Sequence, residues 1–463
     1  MLPPLFRLES IKQACLDNQL VLTANQRLRS KILQAWGQFQ LQQGVSHWQS
    51  PRVLSLEQWF QSQWQALKAR AYGYTSMPII SDQQSMALWQ GIIRDSEVAT
   101  SEALARQAAN AYTMMEKWNL EISHIRDFGA DTGIDLYQQW ALDYKSRLND
   151  LSMVTPTAAY KIVGQAFSDS TLPQEDSIHL LGFDDIPPAI QQQLQQASPQ
   201  LLMVDDSGFQ PRSLQRLRFD TEQQEIAAIC QWAATLLEQN TQLRIGIIVP
   251  NLGQNREAIE QALTEQFEAK SLLASSARYT LPFNISAGIP LGQTPLIESV
   301  FQLLTLHRQY WSVDALCQLL FSPFWAAYSQ EWEQRCTLAT QLQNKGVFEV
   351  SLSDLRYLAQ QQQGEEQYRD GDRPSLFERL SQLYDYQLHN KRPALPSIWM
   401  ERILRQLDIL AWPGERRPDS HEYQQTVLWY QLLEQFANLD ACTGVIEQSQ
   451  ALTILHSMAR HQP

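Results

Sequence analysis

Short apolar runs that are each followed by a helical pattern constrain the fold of this chain more than any other feature. Four runs are clear and a fifth is weaker: LVLT (20–23), IHLLGF (178–183), QLLMVD (200–205), RIGIIVP (244–250) and, less strongly, RVLSL (52–56). Apolar runs of this length, bounded by turn residues, are typical of strands that are buried on both faces of a sheet. Their alternation with helices predicts an α/β fold built on parallel strands.

Two longer parts of the chain have a helical pattern instead. Between the runs at 52–56 and 178–183, apolar and aromatic residues recur at helical spacing. We interpret them as helix–helix core: Leu104, Ala108, Tyr112, Met115, Trp118, and then Tyr137, Trp140, Tyr144, Leu148. From about residue 296 onward the pattern is almost wholly helical, as in PLIESVFQLLTLHRQYW. Such stretches predict helical insertions in an α/β protein.

Composition restricts the class of protein. With 463 residues the chain predicts two to four domains, because a single core does not usually grow so large. Its formal charge of −13 argues against coating by nucleic acid, although a local basic groove stays compatible, since exposed charges are screened over roughly 8 Å. Five scattered cysteines without CxxC spacing indicate neither a disulfide framework nor a zinc site. No signal peptide or membrane span is evident, so we expect a cytoplasmic protein without a membrane partner.

Motifs for catalysis are missing where the strand pattern would place them. A phosphate-binding P-loop requires GxxxxGK[ST], and no glycine in this chain is followed by lysine. Two tripeptides match half of a metal-dependent nuclease motif, Asp143–Lys145 and Glu268–Lys270, but both fall in amphipathic helical patterns and indicate solvated helix faces. The sequence therefore predicts no catalytic residue, no nucleotide-binding residue, no metal ligand and no cofactor.

The stretch LTANQRLRSKI (22–32) is the best candidate for a binding element. Thr23 and Asn25 follow an apolar strand, and Arg27, Arg29 and Lys31 supply positive charge at the start of a helix. Such residues would bind phosphates of a nucleic-acid backbone without reading its sequence. An ordinary amphipathic helix, with Leu28 and Ile32 packed and the basic residues solvated, fits the same pattern equally well.

Acidic residues follow two other apolar runs. Asp184 and Asp185 come after LLGF, and Asp205 ends LLMVD. Ligand crevices of α/β sheets form at the carboxyl ends of strands, where carboxylates also hold metal ions. Aspartate is equally common there as a turn residue or a helix cap, and the pattern leaves both interpretations open.

Several of these segments are similar to a family of DNA motors. FDTEQQEIAAICQWAATLLEQNTQLRIGIIVPNLGQNREAIEQAL (219–263) resembles the start of the second RecA-like domain of UvrD-type helicases, in which a helix carries an arginine, here Arg256. The segment 282–305 resembles the strand, the turn and the first helix of the insertion that follows in that family. The resemblance also places LTANQRLRSKI at the motif whose threonine and asparagine touch single-stranded DNA.

A narrower resemblance spans nearly the whole chain. SHWQSPRVLSLEQWF (46–60), LLGFDDIPP, PFNISAGIPL, LLFSPFW (319–325) and AWPGERRPDSHEYQ (411–424) together resemble a bacterial family of probable DNA repair proteins. That family is similar to the AddB/RexB helicase–nuclease subunits, which end in a PD-(D/E)xK nuclease. The match covers about the first half of a typical member, so the nuclease region is expected beyond residue 463, as in a truncated chain or a split gene.

Departures from the motor pattern carry the functional prediction. A working motor has Asp-Glu at the end of its Walker B strand, which hold magnesium and orient the attacking water. The resemblance places Leu181 and Gly182 there, leaves Asp184 and Asp185 displaced, and retains Asp205 at the sensor position. In the second core, Pro250 replaces the strand-end arginine. The family's phosphate cradle, lysine and metal carboxylate are thus all lost.

The resemblance implies two RecA-like, parallel-sheet cores with large helical insertions, as in UvrD and AddB. The predicted domains are core one (1–80 and 155–217), a first insertion (81–154), core two (218–295) and a second insertion (296–463). The implied function is that of a helicase-like, ATPase-deficient scaffold for DNA repair or recombination. It would bind single-stranded DNA or duplex ends and join a helicase or nuclease partner subunit. Two alternatives stay open, a docking subunit that does not touch DNA and an enzyme with a non-standard nucleotide site.

Overall fold

The computed structural model describes residues 6–96, 98–99, 101–124, 132–204, 214–268, 282–286, 288–307, 310–363 and 374–462. Its strands are β1 (Leu20–Thr23), β2 (Val53–Ser55), β3 (Ile178–Leu181), β4 (Leu201–Val204), β5 (Trp311–Ser312) and β6 (Glu349–Val350). Its first ten helices are α1 (Lys12–Leu16), α2 (Gln26–Gln42), α3 (Leu56–Ala69), α4 (Asp82–Asp95), α5 (Glu102–Lys117), α6 (Thr132–Asp150), α7 (Pro156–Ser168), α8 (Pro188–Ala197), α9 (Glu222–Gln239) and α10 (Leu252–Glu268). The others are α11 (Pro295–Leu304), α12 (Val313–Leu320), α13 (Trp332–Asn344), α14 (Leu352–Gln363), α15 (Leu376–His389), α16 (Pro396–Ile409), α17 (Ser420–Ala437), α18 (Asp440–Thr443) and α19 (Gln448–His461).

The chain divides into two compact units. Unit one comprises Met1–Pro250 and Glu257–Pro282, and unit two comprises Asn251–Arg256 and Phe283–Pro463. Among the described helices, none combines the length and the apolar character that crossing a membrane requires. All five cysteines are free.

Unit one is built on a parallel sheet of four strands in the order β2-β1-β3-β4. Leu20 pairs with Ile178 on one side of β1, and Val21 pairs with Val53 on the other. The apolar runs at 20–23, 52–56, 178–183 and 200–205 are therefore confirmed as strands of a mixed α/β fold. From β1 the chain passes to β2 on one side, and β3 and β4 are then added on the other side of β1. The sheet therefore changes winding direction between β1 and β3. Ligand crevices of such sheets form at the carboxyl ends of the two strands that flank this point.

Alternate residues of β1 bury against opposite faces of this sheet. On one face, Leu20 and Leu22 join a core with α3, α7 and α8 that includes Trp59 and Phe167. On the other, Val21 packs with α1 and α2. Both faces are covered at β1, β2 and β3, which explains why these strand sequences are continuously apolar rather than alternating. At the edge strand β4, Leu202 and Met203 are exposed.

The helical stretch predicted between the strands is formed by α4, α5 and α6. Trp89 lies at its centre, stacked on Tyr144 with ring centroids 4.6 Å apart and meeting Tyr112 edge-on at 5.8 Å. The two predicted stripes thus supply core residues, with one exception. Trp118 is 46% exposed, because it lies at the carboxyl-terminal cap of α5, beyond the turns that pack.

The prediction of a strand at 244–250 is wrong. Residues 244–249 have no regular secondary structure, and Ile248 is 94% exposed. A strand forms only where a neighbour takes up its backbone hydrogen bonds, and no described segment pairs with this one. The described part of 282–291 forms no strand either, and a short 3₁₀ turn, Leu291–Gln293, precedes α11. The described residues therefore hold one four-stranded sheet and the two-residue antiparallel pair of β5 and β6.

Unit two is helical, as predicted for the chain from 296 onward, apart from β5 and β6. Its core is formed by α11, α16, α17 and α19 around the buried side chains of Trp399, Trp429 and Phe436. A second buried group is ionic, since Arg335 has no exposed surface and its Nη2 lies 2.7 Å from Oε2 of Glu331.

Candidate nucleic-acid interface

The carboxyl end of β1 leads directly into α2 through a two-residue connection. Thr23 ends the strand with no exposed surface, and its hydroxyl donates to the carbonyl of Asn25 at 2.9 Å. Asn25 is the N-cap of α2, where its Oδ1 accepts the backbone N–H of Leu28 at 2.9 Å. These two side chains shape the turn, and the Asn25 cap already uses an N–H group that a bound anion would otherwise take.

Arg29 is held at the edge of the sheet by its own backbone contact. Its Nε donates to the carbonyl of Val53 at 3.0 Å. Because β2 is an edge strand and its neighbouring carbonyls face β1, this carbonyl points away from the sheet. The bond fixes the guanidinium beside β2, and within the described residues neither Nη group has a hydrogen-bond partner. Arg29 is half-buried and supplies a positive charge with donors to spare.

A polar groove begins at this guanidinium. It has a volume of about 510 Å³ and is lined by Arg29, Leu54, Gln58, Gln61, Ser62 and Gln65. The four polar residues of α3 have the spacing i, i+3, i+4 and i+7, so they occupy one face of that helix. None of the described lining residues is acidic. Neutral amides and one fixed cation suit a sugar–phosphate backbone, which offers many acceptors and one charge per nucleotide.

The other two basic residues of α2 lie elsewhere. Residues two positions apart on a helix point about 200° away from each other, so Arg27 and Lys31 share a face that Arg29 does not. Both are exposed, and Arg27 takes part in an interaction within the chain. The structure thus separates the predicted basic triad into a groove residue and two residues on another face of α2.

Between the carboxyl ends of β1 and β3, where the winding direction changes, the space is filled by a backbone hydrogen bond and an apolar contact. The backbone N–H of Ala24 donates to the carbonyl of Leu181 at 3.2 Å, which ties the ends of the two strands together. Gly182 follows with a φ of +74°, and a Cβ at this position would lie 2.6 Å from Cδ2 of Leu28. No side chain fits at residue 182 without displacing Leu28, so this point of the sheet edge holds an apolar contact.

The predicted acidic residues are distributed around that edge. Asp184 and Asp185 are exposed in the loop between β3 and α8, and Asp205 lies outside the described residues. Across the described part of the chain, His, Cys, Asp and Glu side chains form no group of three that could hold a metal ion.

Arg256 belongs to the other unit of the chain. It lies on α10, is half-buried, and takes part in an interaction within the chain. The contact pattern of the chain assigns residues 251–256 to unit two, whereas the groove belongs to unit one. Arg256 therefore stays a separate prediction.

The glutamines of α3 were not among the predicted site residues. Their signal is present in LEQWFQSQWQALKA, where Trp59, Trp64 and Leu67 mark the buried face and the glutamines mark the opposite one. Such a face is ordinary on any amphipathic helix, so only the neighbouring Arg29 gives it a role.

A comparison of the chain with models of known protein families and with curated proteins finds no match.

Proposed function

We propose that the chain is a helicase-like DNA-binding scaffold for DNA repair or recombination, related to AddB-type subunits and without ATPase activity. In this proposal the four-stranded sheet of unit one is a RecA-like core, and the helical stretches are its insertions. The observation that carries the proposal is the groove of unit one, with the guanidinium of Arg29 fixed at one end and the polar face of α3 along its side. Its expected ligand is single-stranded DNA or the end of a duplex.

The chemistry of the groove supports backbone binding rather than base reading. Arg29 has Nη donors in excess of its bond to Val53, and a guanidinium matches phosphate oxygens in a bidentate arrangement. Gln65 adds an amide that both donates and accepts, which suits sugar and phosphate oxygens of any sequence. Gln58 keeps its NH2 group for a ligand, because its Oε1 accepts the backbone N–H of Ser55, and Gln61 has a long bond of 3.4 Å to Glu57. Binding of this kind is salt-dependent, because each phosphate contact releases condensed counterions.

The same edge of the sheet supports the lack of ATP hydrolysis. A motor cradles phosphate with several backbone N–H groups of a glycine-rich loop between its first strand and helix. Here the connection has only two residues, and Asn25 caps the helix with its own side chain. Gly182 faces Leu28 at the place that the resemblance gives to the residue that orients the attacking water.

The experiment compares DNA binding by the wild type with three variants, using fluorescence anisotropy of a labelled single strand. Arg29→Met removes the fixed charge and is expected to weaken binding about 5- to 30-fold. Arg29→Lys keeps the charge and is expected to recover part of the affinity. Arg94→Met is the matched control, since Arg94 is an exposed arginine of unit one whose ion pair with Asp95 is long, at 3.8 Å.

Two results would contradict the proposal. Absence of DNA binding by the folded wild type would favour the docking subunit that does not touch DNA. ATP hydrolysis that co-purifies with the wild type and disappears in Asp184→Ala would show a working nucleotide site and favour the enzyme alternative.

A further inference from the structure

A cavity of about 740 Å³ in unit two brings together two distant stretches of the chain. One wall is the segment from Pro323 to Ser329, and the other is the segment from Ala411 to Arg416. Arg379, in the first turn of α15, lies between them. The volume is in the range of small-molecule sites, which are typically about 300–1,000 Å³.

Arg379 is a buried cation, and most N–H donors of its guanidinium have no hydrogen-bond partner in the described part of the chain. It is only 8% exposed, and its Nη1 donates to the carbonyl of Ile409 at 3.1 Å. Its Nε is buried without a partner. Within the described part of the chain, no carboxylate lies within ion-pair distance of this guanidinium. A buried charge in this condition costs stability, so an anionic ligand is its expected complement.

Arg335, in the same unit, shows how this chain satisfies a buried arginine that serves structure alone. Its Nε and Nη2 both bind the carboxylate of Glu331, at 3.1 and 2.7 Å. The remaining donors reach the carbonyls of Leu320, Ser322 and Trp325, and the guanidinium stacks on the Trp325 ring at 4.2 Å. Arg379 lacks every one of these features except a single carbonyl contact.

The walls of the cavity are fixed by backbone contacts. Gly414 has a φ of +92°, and a Cβ there would lie 2.7 Å from the carbonyl oxygen of Pro323, so only glycine allows the two segments to approach. The N–H of Ala326 donates to the carbonyl of Leu410 at 2.9 Å, and the N–H of Ser329 donates to Oε1 of Glu415 at 2.7 Å. The site is therefore formed before any ligand arrives, which lowers the entropic cost of binding.

The rim adds groups that define the ligand. Arg416 lies at the rim, its guanidinium 5.5 Å from the Phe324 ring centroid and paired with Glu422. Tyr328 contributes a hydroxyl that has no partner in the described part of the chain, and Glu415 contributes a carboxylate. Two neighbouring N–H groups of a guanidinium can bind two oxygens of a phosphate in a bidentate arrangement, which is why arginine is common in phosphate sites.

We propose that this cavity binds the phosphate monoester of a nucleotide, with the phosphate on Arg379. The Glu415 carboxylate would accept a sugar hydroxyl or a base N–H, and the alanines at 326, 327 and 411 would face the apolar part of the ligand. The same chemistry is offered by a free mononucleotide and by the 5′-phosphorylated end of a DNA strand. This site lies within unit two and does not depend on the groove of unit one.

The test measures binding of dTMP by titration calorimetry to the full-length wild type, Arg379→Met and Arg379→Lys. We expect Arg379→Met to weaken dTMP binding about 10- to 100-fold, and Arg379→Lys to weaken it less, because lysine keeps the charge but not the planar fork. The melting temperature of unliganded Arg379→Met is expected to be unchanged or raised, since the variant removes an unsatisfied buried charge. Arg405→Met is the matched control on an exposed arginine of unit two and should bind dTMP like the wild type.

A second arm identifies the source of the phosphate. The same short oligonucleotide is titrated with a 5′-phosphate and with a 5′-hydroxyl, so that the difference isolates the terminal group. An Arg379-dependent preference for the phosphorylated strand supports the strand end, and dTMP binding without such a preference supports the free nucleotide. Failure of the wild type to bind either probe at millimolar concentration overturns the inference. Binding that stays within about twofold of wild type in both Arg379 variants also overturns it.

Discussion

Replacement of Arg335 by Met tests the ionic core of unit two. The side chain is fully buried, and its removal leaves Glu331, only 8% exposed, as an unpaired carboxylate. It also leaves three carbonyl oxygens, those of Leu320, Ser322 and Trp325, without their guanidinium donors. Breaking a buried ion pair by removing one partner costs about 3–5 kcal/mol, so we expect the free energy of unfolding of unit two to fall by that amount.

The carbonyls of Leu320, Ser322 and Trp325 lie between the end of α12 and the start of α13, so the loss should be seen in these two helices. The suitable assay is urea unfolding followed by hydrogen exchange of peptides from α12 and α13, because a global signal would mix the two units. The double variant Arg335→Met with Glu331→Gln removes the unpaired charge and should recover part of the loss. A loss below about 1 kcal/mol in the single variant would refute the reasoning, since it would show that the buried pair is solvated in the native protein.

Three further predictions concern single contacts. Burial raises the pKa of the Glu116 carboxyl above its ordinary 4.5, so the folded state binds the Glu116 proton more tightly than the unfolded state does. Protonated Glu116 therefore stabilises the folded state, and this contribution is lost as pH rises through the folded pKa. Glu116→Gln should therefore raise the free energy of unfolding near pH 7, with a gain that shrinks below about pH 4.5 in an acid-to-neutral denaturation series. Gly182→Ala should destabilise by about 1–2 kcal/mol through its positive φ and the contact with Leu28, whereas Gly133→Ala, where a Cβ meets nothing within 4 Å, should not destabilise. Gly414→Ala should weaken dTMP binding and lower the melting temperature, because the added methyl collides with a backbone carbonyl that cannot rotate away; wild-type values for both would contradict the fixed-wall geometry.

The positions of β1, β2 and β3 were predictable because burial on both sheet faces leaves a continuous apolar run. Leu20, Val21 and Leu22 pack against two different cores, and the sequence shows that requirement directly. The run at 244–250 is also rich in apolar residues, yet Ile248 is exposed, since composition does not supply the neighbouring strand that a ladder needs.

The candidate site was only partly predictable for a similar reason. The charges of Arg27, Arg29 and Lys31 are visible in the sequence, but only helix geometry separates Arg29 from the other two. The bond from Arg29 to Val53 joins residues 24 positions apart and leaves no local signal. Arg379 has no sequence signal either, because a lack of hydrogen-bond partners is a property of packing and not of the residue.

The salt dependence of single-stranded DNA binding tests the central claim most directly. Binding constants of the wild type, Arg29→Met and Arg94→Met are measured from about 50 to about 200 mM salt, and the slope of log K against log salt is compared. Each lost phosphate contact flattens the slope for a single strand by about 0.7, so we predict that change for Arg29→Met and none for Arg94→Met. A folded Arg29→Met protein with the wild-type slope and affinity would contradict the assignment of the groove to DNA.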